Sequence, residues 1–480
     1  MPIDRKKNKR RDLRIRKNKE QPLANKGECW NAKIETMAKN EMANLQLARL
    51  KKQLQYNYKN SFFYRKKFGE AGIKPEDIRS INDLQEIPLT TKDDLRKIQE
   101  ESIEKFGHPF GPNTITCAPI EKIIRISATS GTTGTPTLYT LTKHDVDVVN
   151  ELNARRFWMA GIRPGHVILQ ALSLSMFAGG LPLSQGIMHV GACAVPVGIE
   201  GGTKRVLDFI RLTAPVAIFT TPSFGLYLIE ECPRITGNPA SKLGIEWFFT
   251  AGEPGGGNIE LRKMLSQGFG GAKIFDHTGG AHSFAGATCD EPPESYSGMH
   301  FISGDYCVLE LISPETKKHV DLTDGAIGEL VITSLDWEGG PFMRYAYGDM
   351  IQVSTAPCDC KRTGLKFKII ARADDMLIVK GVNIYPEAIR RAILRFCPEV
   401  TGSFKIVLDK PGPLVTPPLR IRIEYSSRVD EKSIPSLEEK IEKHFKEQLR
   451  ISPKFIWVRE GSIPREMKKT KFIQIEGNNL

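Results

Sequence analysis

The sequence has no long uninterrupted apolar segment, which argues against a membrane-spanning helix. Its most apolar stretch, residues 164–199, contains no Asp, Glu, Lys or Arg, but prolines, glutamines, histidines and several glycines interrupt it. A strand–helix–strand unit in a buried α/β core therefore explains this stretch better. No apolar stretch follows the basic N-terminal residues, so we expect neither a secretory signal nor a membrane span, and we expect a cytoplasmic location.

Acidic residues are scarce at the start of the chain. Residues 1–19 contain ten Lys or Arg and two Asp, and they supply +8 of the net charge of +12. This segment has no apolar periodicity, and such a run is typical of a solvated, disordered tail. We therefore predict a basic tail over residues 1–30 and expect no nucleic-acid partner.

The order of predicted elements indicates an α/β protein of two or three domains, for which 480 residues are sufficient. A helical pattern runs from Glu35 to Lys66. Strands then alternate with helices between Val167 and Thr221, which favours βαβ units and a parallel sheet. Shorter strands after Lys273 predict an antiparallel, barrel-like subdomain. The chain ends as a small α+β domain with an amphipathic helix at Ser436–Leu449.

Glycine and hydroxyl residues dominate residues 127–137, which lie between two short apolar segments. This pattern predicts a flexible loop between two strands. Gly131 and Gly134 would let the backbone bring its N–H groups close to a polyanion, and the hydroxyls would add neutral donors. No Gly-Lys-Ser/Thr follows, so the segment is not a Walker A loop. A polar surface hairpin is the simpler alternative.

This loop resembles the phosphate loop of the adenylate-forming enzymes, and most closely that of the phenylacetate–CoA ligase branch. The family usually carries Lys where this chain has Thr135. Further segments extend the resemblance over residues 34–474. They are Asn60-Ser61-Phe62-Phe63-Tyr64-Arg65, Pro88-Leu89-Thr90-Thr91-Lys92-Asp93-Asp94-Leu95, Arg344-Tyr345-Ala346-Tyr347-Gly348-Asp349, the run from Ala371 to Pro386, and Pro464-Arg465-Glu466-Met467-Lys468-Lys469-Thr470-Lys471.

The resemblance implies an α/β fold with a large N-terminal AMP-binding domain at 31–373 and a small, mobile α+β domain at 374–480. It implies an ATP-dependent ligase that joins an aryl or arylacetic carboxylic acid to coenzyme A through an acyl-adenylate. ATP, Mg²⁺ and coenzyme A would be its cofactors, and a homodimer is compatible with it. Two alternatives stay open: an adenylating enzyme with an acceptor other than CoA, and a non-catalytic relative that binds a nucleotide or an acyl group.

The resemblance also assigns roles to individual residues. Asp349 and Arg372 would bind the ribose, Asp374 would be the hinge between the domains, and Lys469 would act at the reacting centre. The residues that would bind the phosphates are Ser130, Gly131, Thr132, Thr133 and Gly134. The residues that would line the pocket for the acid are Phe177, Gly179, Phe224 and Gly252.

One segment departs from the family pattern of Gly-x-Thr-Glu. If Gly279 matches that Gly, then His282 replaces the Glu, which normally helps to hold Mg²⁺ on the nucleotide phosphates. A neutral imidazole is a softer ligand that suits Mg²⁺ poorly. Either Asp276 or water then replaces it, or adenylation is weakened, or the chain has a changed function. A register shifted by a few residues is also open.

Four soft side chains form a candidate metal site. Cys289, His300, Cys358 and Cys360 could hold a tetrahedral Zn²⁺, although their two halves lie far apart in the sequence. Small core residues without a ligand are the alternative. The resemblance favours the metal, because members of this branch often carry such a set. Four protein ligands would close the coordination sphere, so we expect a structural zinc. Cys307 could also be a ligand, but it falls within a strand pattern.

Overall fold

The computed structural model describes residues 28–128, 136–177, 179–280, 282–380, 382–465 and 471–476. The predicted basic tail up to residue 27 lies outside these ranges. Among the described residues, no helix has both the length and the apolar character that crossing a membrane requires.

The elements are numbered in chain order. The helices are α1 Ala32–Glu35, α2 Lys39–Asn60, α3 Phe62–Ala71, α4 Lys92–Phe106, α5 Lys143–Met159, α6 Leu181–His189, α7 Gly202–Thr213, α8 Pro222–Thr236, α9 Ile259–Gly268, α10 Pro386–Leu394 and α11 Ile434–Leu449. The strands are β1 Arg125–Ala128, β2 Leu138–Leu141, β3 Val167–Gln170, β4 Cys193–Pro196, β5 Ala217–Thr220, β6 Trp247–Thr250, β7 Lys273–Gly279, β8 Ala285–Ala287, β9 Met299–Phe301, β10 Cys307–Ile312, β11 His319–Val320, β12 Ile327–Ser334, β13 Tyr345–Ser354, β14 Lys366–Arg372, β15 Leu377–Val379, β16 Val382–Ile384, β17 Val400–Leu408, β18 Leu414–Val415, β19 Arg420–Tyr425, β20 Lys454–Arg459 and β21 Ile473–Ile475.

The helical pattern of residues 35–66 is divided at Ser61 into α2 and α3. Ser61 is fully buried and extended, at φ −122° and ψ 125°. Its hydroxyl accepts a hydrogen bond from the Tyr64 N–H and donates one to the Thr114 carbonyl. Ser61 therefore ends α2 and caps α3, because its side chain satisfies a backbone donor that the new helix leaves open.

A parallel sheet forms the centre of the first half of the protein, in the order β4-β3-β5-β6-β7. Helices cover both of its faces, as the continuous apolar strands predict. Neighbouring residues of β6 show this, since Phe248 packs into the core with α7, α8 and α9, whereas Phe249 packs into the core with α5 and α6. The predicted βαβ alternation is confirmed.

Strand β7 joins this parallel sheet to the antiparallel strands. Its first four residues pair in parallel with β6, and its last three pair antiparallel with β8. The antiparallel order then continues β8-β9-β14-β13-β12-β10-β11. Antiparallel structure was predicted here, but as a separate barrel-like unit. In the described part of the chain it is instead one open sheet continuous with the parallel strands, because a single long strand serves both.

The C-terminal part has its own sheet and core. Strands β20-β19-β17-β21 form a four-stranded sheet, against which α10 and α11 pack. The predicted apolar face of the last helix is confirmed, because Leu437, Ile441 and Phe445 all lie in this core. A separate hydrophobic core is what allows a small domain to move as a unit.

A buried ion pair ties α5 to the loop before β10. The Arg155 guanidinium donates to both carboxylate oxygens of Asp305, at 2.7 and 2.9 Å, and the two side chains are almost completely buried. Removing one partner of such a pair leaves an uncompensated buried charge.

We therefore expect Asp305→Ala to lower the free energy of unfolding by about 3–5 kcal/mol, measured by urea denaturation. Asp208→Ala is the matched control, since Asp208 pairs with Lys204 on the surface of α7. The control should leave the midpoint unchanged within error. Equal effects of the two changes would contradict this account of the Arg155–Asp305 pair.

Candidate active site

The candidate site begins at the carboxyl edge of the parallel sheet, where ligands bind in proteins of this kind. The strand register places Thr220 beside Thr250, and Thr250 beside Asp276. The segments that follow β3, β5 and β6 contain the residues predicted to form the pocket for the acid. Adjacent parallel strands therefore bring these separate segments to one edge.

Gly179 and Phe177 follow β3. Phe177 is half-buried, and the Gln170 amide donates to the carbonyls of Gly179 and Gly180, at 2.9 Å for Gly180. A Cβ at Gly180 would lie 1.9 Å from the Ser175 carbonyl oxygen, so only glycine fits there. The Gln170 side chain at the end of β3 thus fixes the shape of this turn by binding two of its backbone carbonyls.

Two further predicted pocket residues have different environments. Gly252 follows β6 at φ +88°, a conformation that favours glycine. Phe224 is fully buried in the core with Leu228 and Leu265. The ring of Phe224 therefore packs among core side chains in this structure, and its role in the pocket for the acid stays a prediction.

Asp276 lies at the same edge, almost completely buried. Its carboxylate accepts hydrogen bonds from Thr250 Oγ1 and from Tyr296 Oη, each at 3.1 Å. Burial raises the pKa of Asp276 to about 6, and the charge of Arg262 opposes this shift. Asp276 is thus a carboxyl group that protein donors already hold, and it titrates close to neutral pH.

An ion pair links the candidate ribose-binding residues. Asp349 and Arg372 face each other on β13 and β14, and Arg372 Nη1 lies 2.8 Å from Asp349 Oδ1. Arg372 Nε also donates to Asp374 at 3.1 Å. Burial lowers the pKa of Arg372, but Asp349 and Asp374 raise it more, so the net shift is upward. A Cβ at Gly348 would lie 2.8 Å from Arg372 Nη2, which explains the glycine before Asp349.

The segment before α4 contacts this ion-pair group, a contribution that the sequence analysis missed. Thr90 exchanges backbone hydrogen bonds with the start of β13, at 2.8 Å to the Arg344 carbonyl and 2.9 Å from the Ala346 N–H. Burial, followed by the charges of Arg96 and Arg372, lowers the pKa of Lys92. The Pro-x-Thr-x-Lys pattern was the available signal, because it places this Thr and this Lys two residues apart.

His282 is enclosed by aromatic rings. The rings of Tyr139, Phe342 and Tyr347 lie with centroids 5.2–6.0 Å from its own. Its Nδ1 accepts a hydrogen bond from the Phe284 N–H at 3.2 Å, and Nε2 lies 3.3 Å from the Tyr347 hydroxyl. Burial lowers the pKa of His282 to about 3, so the ring is neutral at physiological pH. A metal ion would have to displace one of these two protein partners.

Two predicted groups lie outside the described residues: the phosphate loop Ser130–Gly134 and Lys469. The segment before Lys469 is described up to Arg465. The fully buried Glu424 accepts hydrogen bonds there from the Ile463 N–H and from Arg465 Nη2, both at 3.0 Å. Arg465 Nε also lies 3.6 Å from Glu230 of α8, across the junction between the two cores.

The four predicted metal ligands come together. Cys289, His300, Cys358 and Cys360 each offer a ligand atom, and these atoms all lie within 4.8 Å of one another. Cys289 Sγ is 3.6 Å from Cys358 Sγ, and Cys360 Sγ is 3.3 Å from His300 Nε2. Three sulfurs and one nitrogen match the donor set of a closed zinc site. Among the described residues, no other group of three or more potential ligands fits a metal ion.

Comparisons with known proteins agree with this arrangement. Residues 381–474 match the family model described as the AMP-binding enzyme C-terminal domain. The phenylacetate–coenzyme A ligase of Thermus thermophilus is 33% identical over 450 residues, which covers 91% of this chain and 96% of that protein. The chain belongs to the phenylacetate–coenzyme A ligase family of adenylate-forming enzymes. It is therefore an AMP-forming acyl-CoA ligase.

The chain superimposes differently on two states of one solved ligase of this fold. A 2-hydroxyisobutyryl-CoA ligase in its postadenylation state superimposes with a TM-score of 0.84 and 26% identity, covering 95% of this chain and 94% of that one. The same ligase in its thioesterification state gives 0.66 and 27% identity, covering 96% and 94%. Because coverage is similar, the lower score reflects a different placement of the domains.

The buried Asp276 of this ligase makes a testable contribution to the pH dependence of stability. Its pKa is raised from 3.8 to about 6, so its stabilising effect is complete below 3.8 and is lost as the pH rises through about 6. Asn does not titrate. From about pH 4 to about pH 7, the unfolding free energy of Asp276→Asn should therefore rise relative to wild type, by up to about 3 kcal/mol.

Urea denaturation at several pH values measures this difference. Asp290→Asn is the matched control, because Asp290 is exposed and pairs with Lys273 at the surface. A difference between Asp276→Asn and wild type that does not change with pH would show that folding does not raise the pKa of Asp276.

Proposed function

We propose that this ligase activates an aryl or arylacetic carboxylic acid. The acid reacts with ATP to give an acyl-adenylate and pyrophosphate. The thiol of coenzyme A then attacks the acyl carbon, AMP leaves, and a thioester forms. The loop Ser130–Gly134 binds the phosphates, Asp349 and Arg372 bind the ribose, and Lys469 stabilises the charge that develops at the reacting centre.

The observation that carries this proposal is the Asp349–Arg372–Asp374 group. A carboxylate can accept hydrogen bonds from both hydroxyls of a ribose, and Arg372 holds Asp349 in place from the neighbouring strand. Asp374 follows β14 directly and lies just before the part of the chain that matches the C-terminal domain model. One ion-pair network therefore connects the proposed ribose site with the proposed hinge.

The choice of acid rests on the relatives and on the strand ends. The curated relative named above is a phenylacetate–coenzyme A ligase. Phe177 and Gly179 follow β3, and Gly252 follows β6; these two strands flank β5 at the edge described above, and small residues there leave room for a ring. Phe224 shapes this edge from below, from within the core.

Two half-reactions in one site require the C-terminal domain to move, with Asp374 as the hinge. The boundary between the domains is accordingly placed at residues 373 and 374. The closer superposition on the postadenylation structure than on the thioesterification structure supports an arrangement that precedes thioester formation. The second half-reaction then needs rotation toward the arrangement of the thioesterification structure.

Magnesium is proposed to enter with ATP. Apart from the Cys/His group, the described residues contain no cluster of three potential ligands. Asp276 is bound by Thr250 and Tyr296, and His282 by Phe284 and Tyr347, so neither presents a ready ligand. In the shifted register, Thr278 matches the Thr of the family motif and Gly279 occupies the place of its Glu. Either alignment removes a carboxylate from the metal site.

A structural zinc is proposed at Cys289, His300, Cys358 and Cys360. These residues come from the segment after β8, from β9, and from the loop between β13 and β14. Hydrogen bonds from Cys289 and His300 lower the pKa of Cys360, although its burial opposes this, and thiolate is the form that binds metal. The ion would join three strands at the side of the sheet. Its role is therefore folding rather than catalysis.

A cytoplasmic location is part of the proposal. The nine cysteines are all free in the structure, which suits a reducing compartment. The homodimer that the sequence analysis allowed plays no part in this mechanism. The two alternatives, a non-CoA acceptor and a non-catalytic relative, are decided by the next experiment.

The purified full-length protein should release AMP and form a thioester from ATP, CoA and at least one aryl acid in a panel that includes phenylacetate. Lys469→Ala should reduce ATP–pyrophosphate exchange by about a hundred- to a thousand-fold, because a positioned charge at the developing negative centre is lost. The same variant should convert chemically prepared acyl-AMP and CoA at the wild-type rate.

Lys471→Ala is the matched control for the lysine assignment and should keep both activities. Exchange without any thioester would favour an acceptor other than CoA. Absence of exchange with every acid would favour the non-catalytic relative. Normal exchange in Lys469→Ala would overturn the role given to Lys469.

Protein purified without added metal should contain about one zinc per chain, as one closed four-ligand site requires. Removing the metal with a chelator, or the change Cys358→Ala, should lower the melting temperature, because the binding energy of a structural metal is folding energy. The control is Cys193→Ala, an exposed thiol outside the cluster. An unchanged melting temperature after metal removal would refute the structural zinc.

A further inference from the structure

Helix α10 of the C-terminal domain contacts a loop at the proposed active site. Arg390 Nη1 donates a hydrogen bond to the Pro254 carbonyl at 2.8 Å. Pro254 belongs to the segment after β6, at the carboxyl edge of the parallel sheet. Arg390 is 4% exposed, so this charged side chain is enclosed by the contact. A cation buried between two domains is unusual enough to call for a function.

The loop that Arg390 contacts also lies against Asp276. A Cβ at Gly255, where φ is +124°, would lie 2.5 Å from Arg390 Nη1. A Cβ at Gly256 would lie 2.1 Å from Asp276 Oδ1 and 2.3 Å from Thr250 Oγ1. Only a glycine backbone fits between these groups. The loop is therefore enclosed by the guanidinium of one domain and by the sheet edge of the other.

The C-terminal domain orients Arg390 from its own side. The Arg390 guanidinium carbon lies 5.5 Å from the centroid of the Phe472 ring, and Arg390 Nη1 lies 3.7 Å from Glu387 Oε2. Glu387 is itself buried, and among the described residues its Oε2 has no hydrogen-bond partner. The side chain is therefore held within α10, and it reaches the other domain through its bond to Pro254.

This contact depends on how the domains are placed. Arg390 lies within residues 381–474, the C-terminal domain, whereas Pro254 and Gly256 lie in the N-terminal part. The arrangement agrees with the postadenylation structure at a TM-score of 0.84 and with the thioesterification structure at 0.66. The Arg390–Pro254 bond joins the two domains, so a rotation between such arrangements would break it.

We propose that Arg390 is a positioning residue for the adenylation half-reaction. By binding the Pro254 carbonyl it holds the loop Pro254–Gly256 against Asp276 and Thr250 while the acyl-adenylate forms. When the C-terminal domain rotates, the bond is broken and the loop is released for thioester formation. This inference rests on the proposed function, and it adds a residue that couples the domain position to the shape of the site.

The test compares both half-reactions in full-length Arg390→Met, which keeps the length of the side chain but removes its donors. With phenylacetate as the probe acid, ATP–pyrophosphate exchange should fall by about ten- to a hundred-fold, since a misplaced site loop costs a rate of this order. Thioester formation from prepared phenylacetyl-AMP and CoA should stay at or above the wild-type rate. A purely structural role would lower both rates together.

Arg391→Met is the matched control, because Arg391 is the exposed neighbour on the same helix, and it should keep both rates. Arg390→Lys keeps a cation beside Glu387, so its ATP–pyrophosphate exchange should be faster than that of Arg390→Met. If Arg390→Met does not fold, the double variant Glu387→Gln/Arg390→Met is used in the assay instead. It removes the charge of Glu387, which the single change would leave buried and unpaired.

Hydrogen–deuterium exchange provides a readout that needs no substrate. Peptides covering residues 250–257 should exchange hydrogen faster in Arg390→Met than in wild type. In Arg391→Met they should exchange at the wild-type rate. Unchanged protection of this loop, or equal loss of both half-reactions, would overturn the positioning role. If the wild-type protein activates no acid, the proposed function is refuted. Hydrogen–deuterium exchange of residues 250–257 would still decide whether Arg390 holds this loop.

Discussion

Strand β7 is the constraint on which the rest of the structure depends. Its first half completes the parallel sheet, and its second half starts the antiparallel one. Parallel strands end at a common edge, so the loops after β3, β5 and β6 meet where β7 passes Asp276. The same continuous order then carries Arg372 on β14 and Asp349 on β13, the third and fourth strands beyond β7. A break in β7 would separate these two halves of the site.

The junction between the domains contains several polar contacts, beside the apolar packing of Leu394 of α10 against the N-terminal core. Arg372 binds Asp374, Arg390 binds the Pro254 carbonyl, and Arg465 approaches Glu230. Contacts of this kind depend on geometry and are lost in one step when a domain turns. A large apolar interface would instead resist separation. These polar contacts therefore suit an enzyme that must change its domain arrangement in each cycle.

The surroundings of His282 explain why a neutral side chain suits this position. A carboxylate at this place would lie among aromatic rings, where burial strongly disfavours its charge. A neutral imidazole fits, with its nitrogens facing the Phe284 N–H and the Tyr347 hydroxyl.

The sequence alone determined the order of elements, the family, and the identity of most candidate residues. These depend on local signals: alternation of strands and helices, glycine turns, and motifs of fixed spacing. It could not show that the Phe224 ring is buried in the core, or that Ser61 binds the Thr114 carbonyl, because both depend on contacts with distant residues. Only the tertiary structure brought Cys289 to Cys358 and Arg390 to Pro254, since chain folding, rather than sequence spacing, sets those distances.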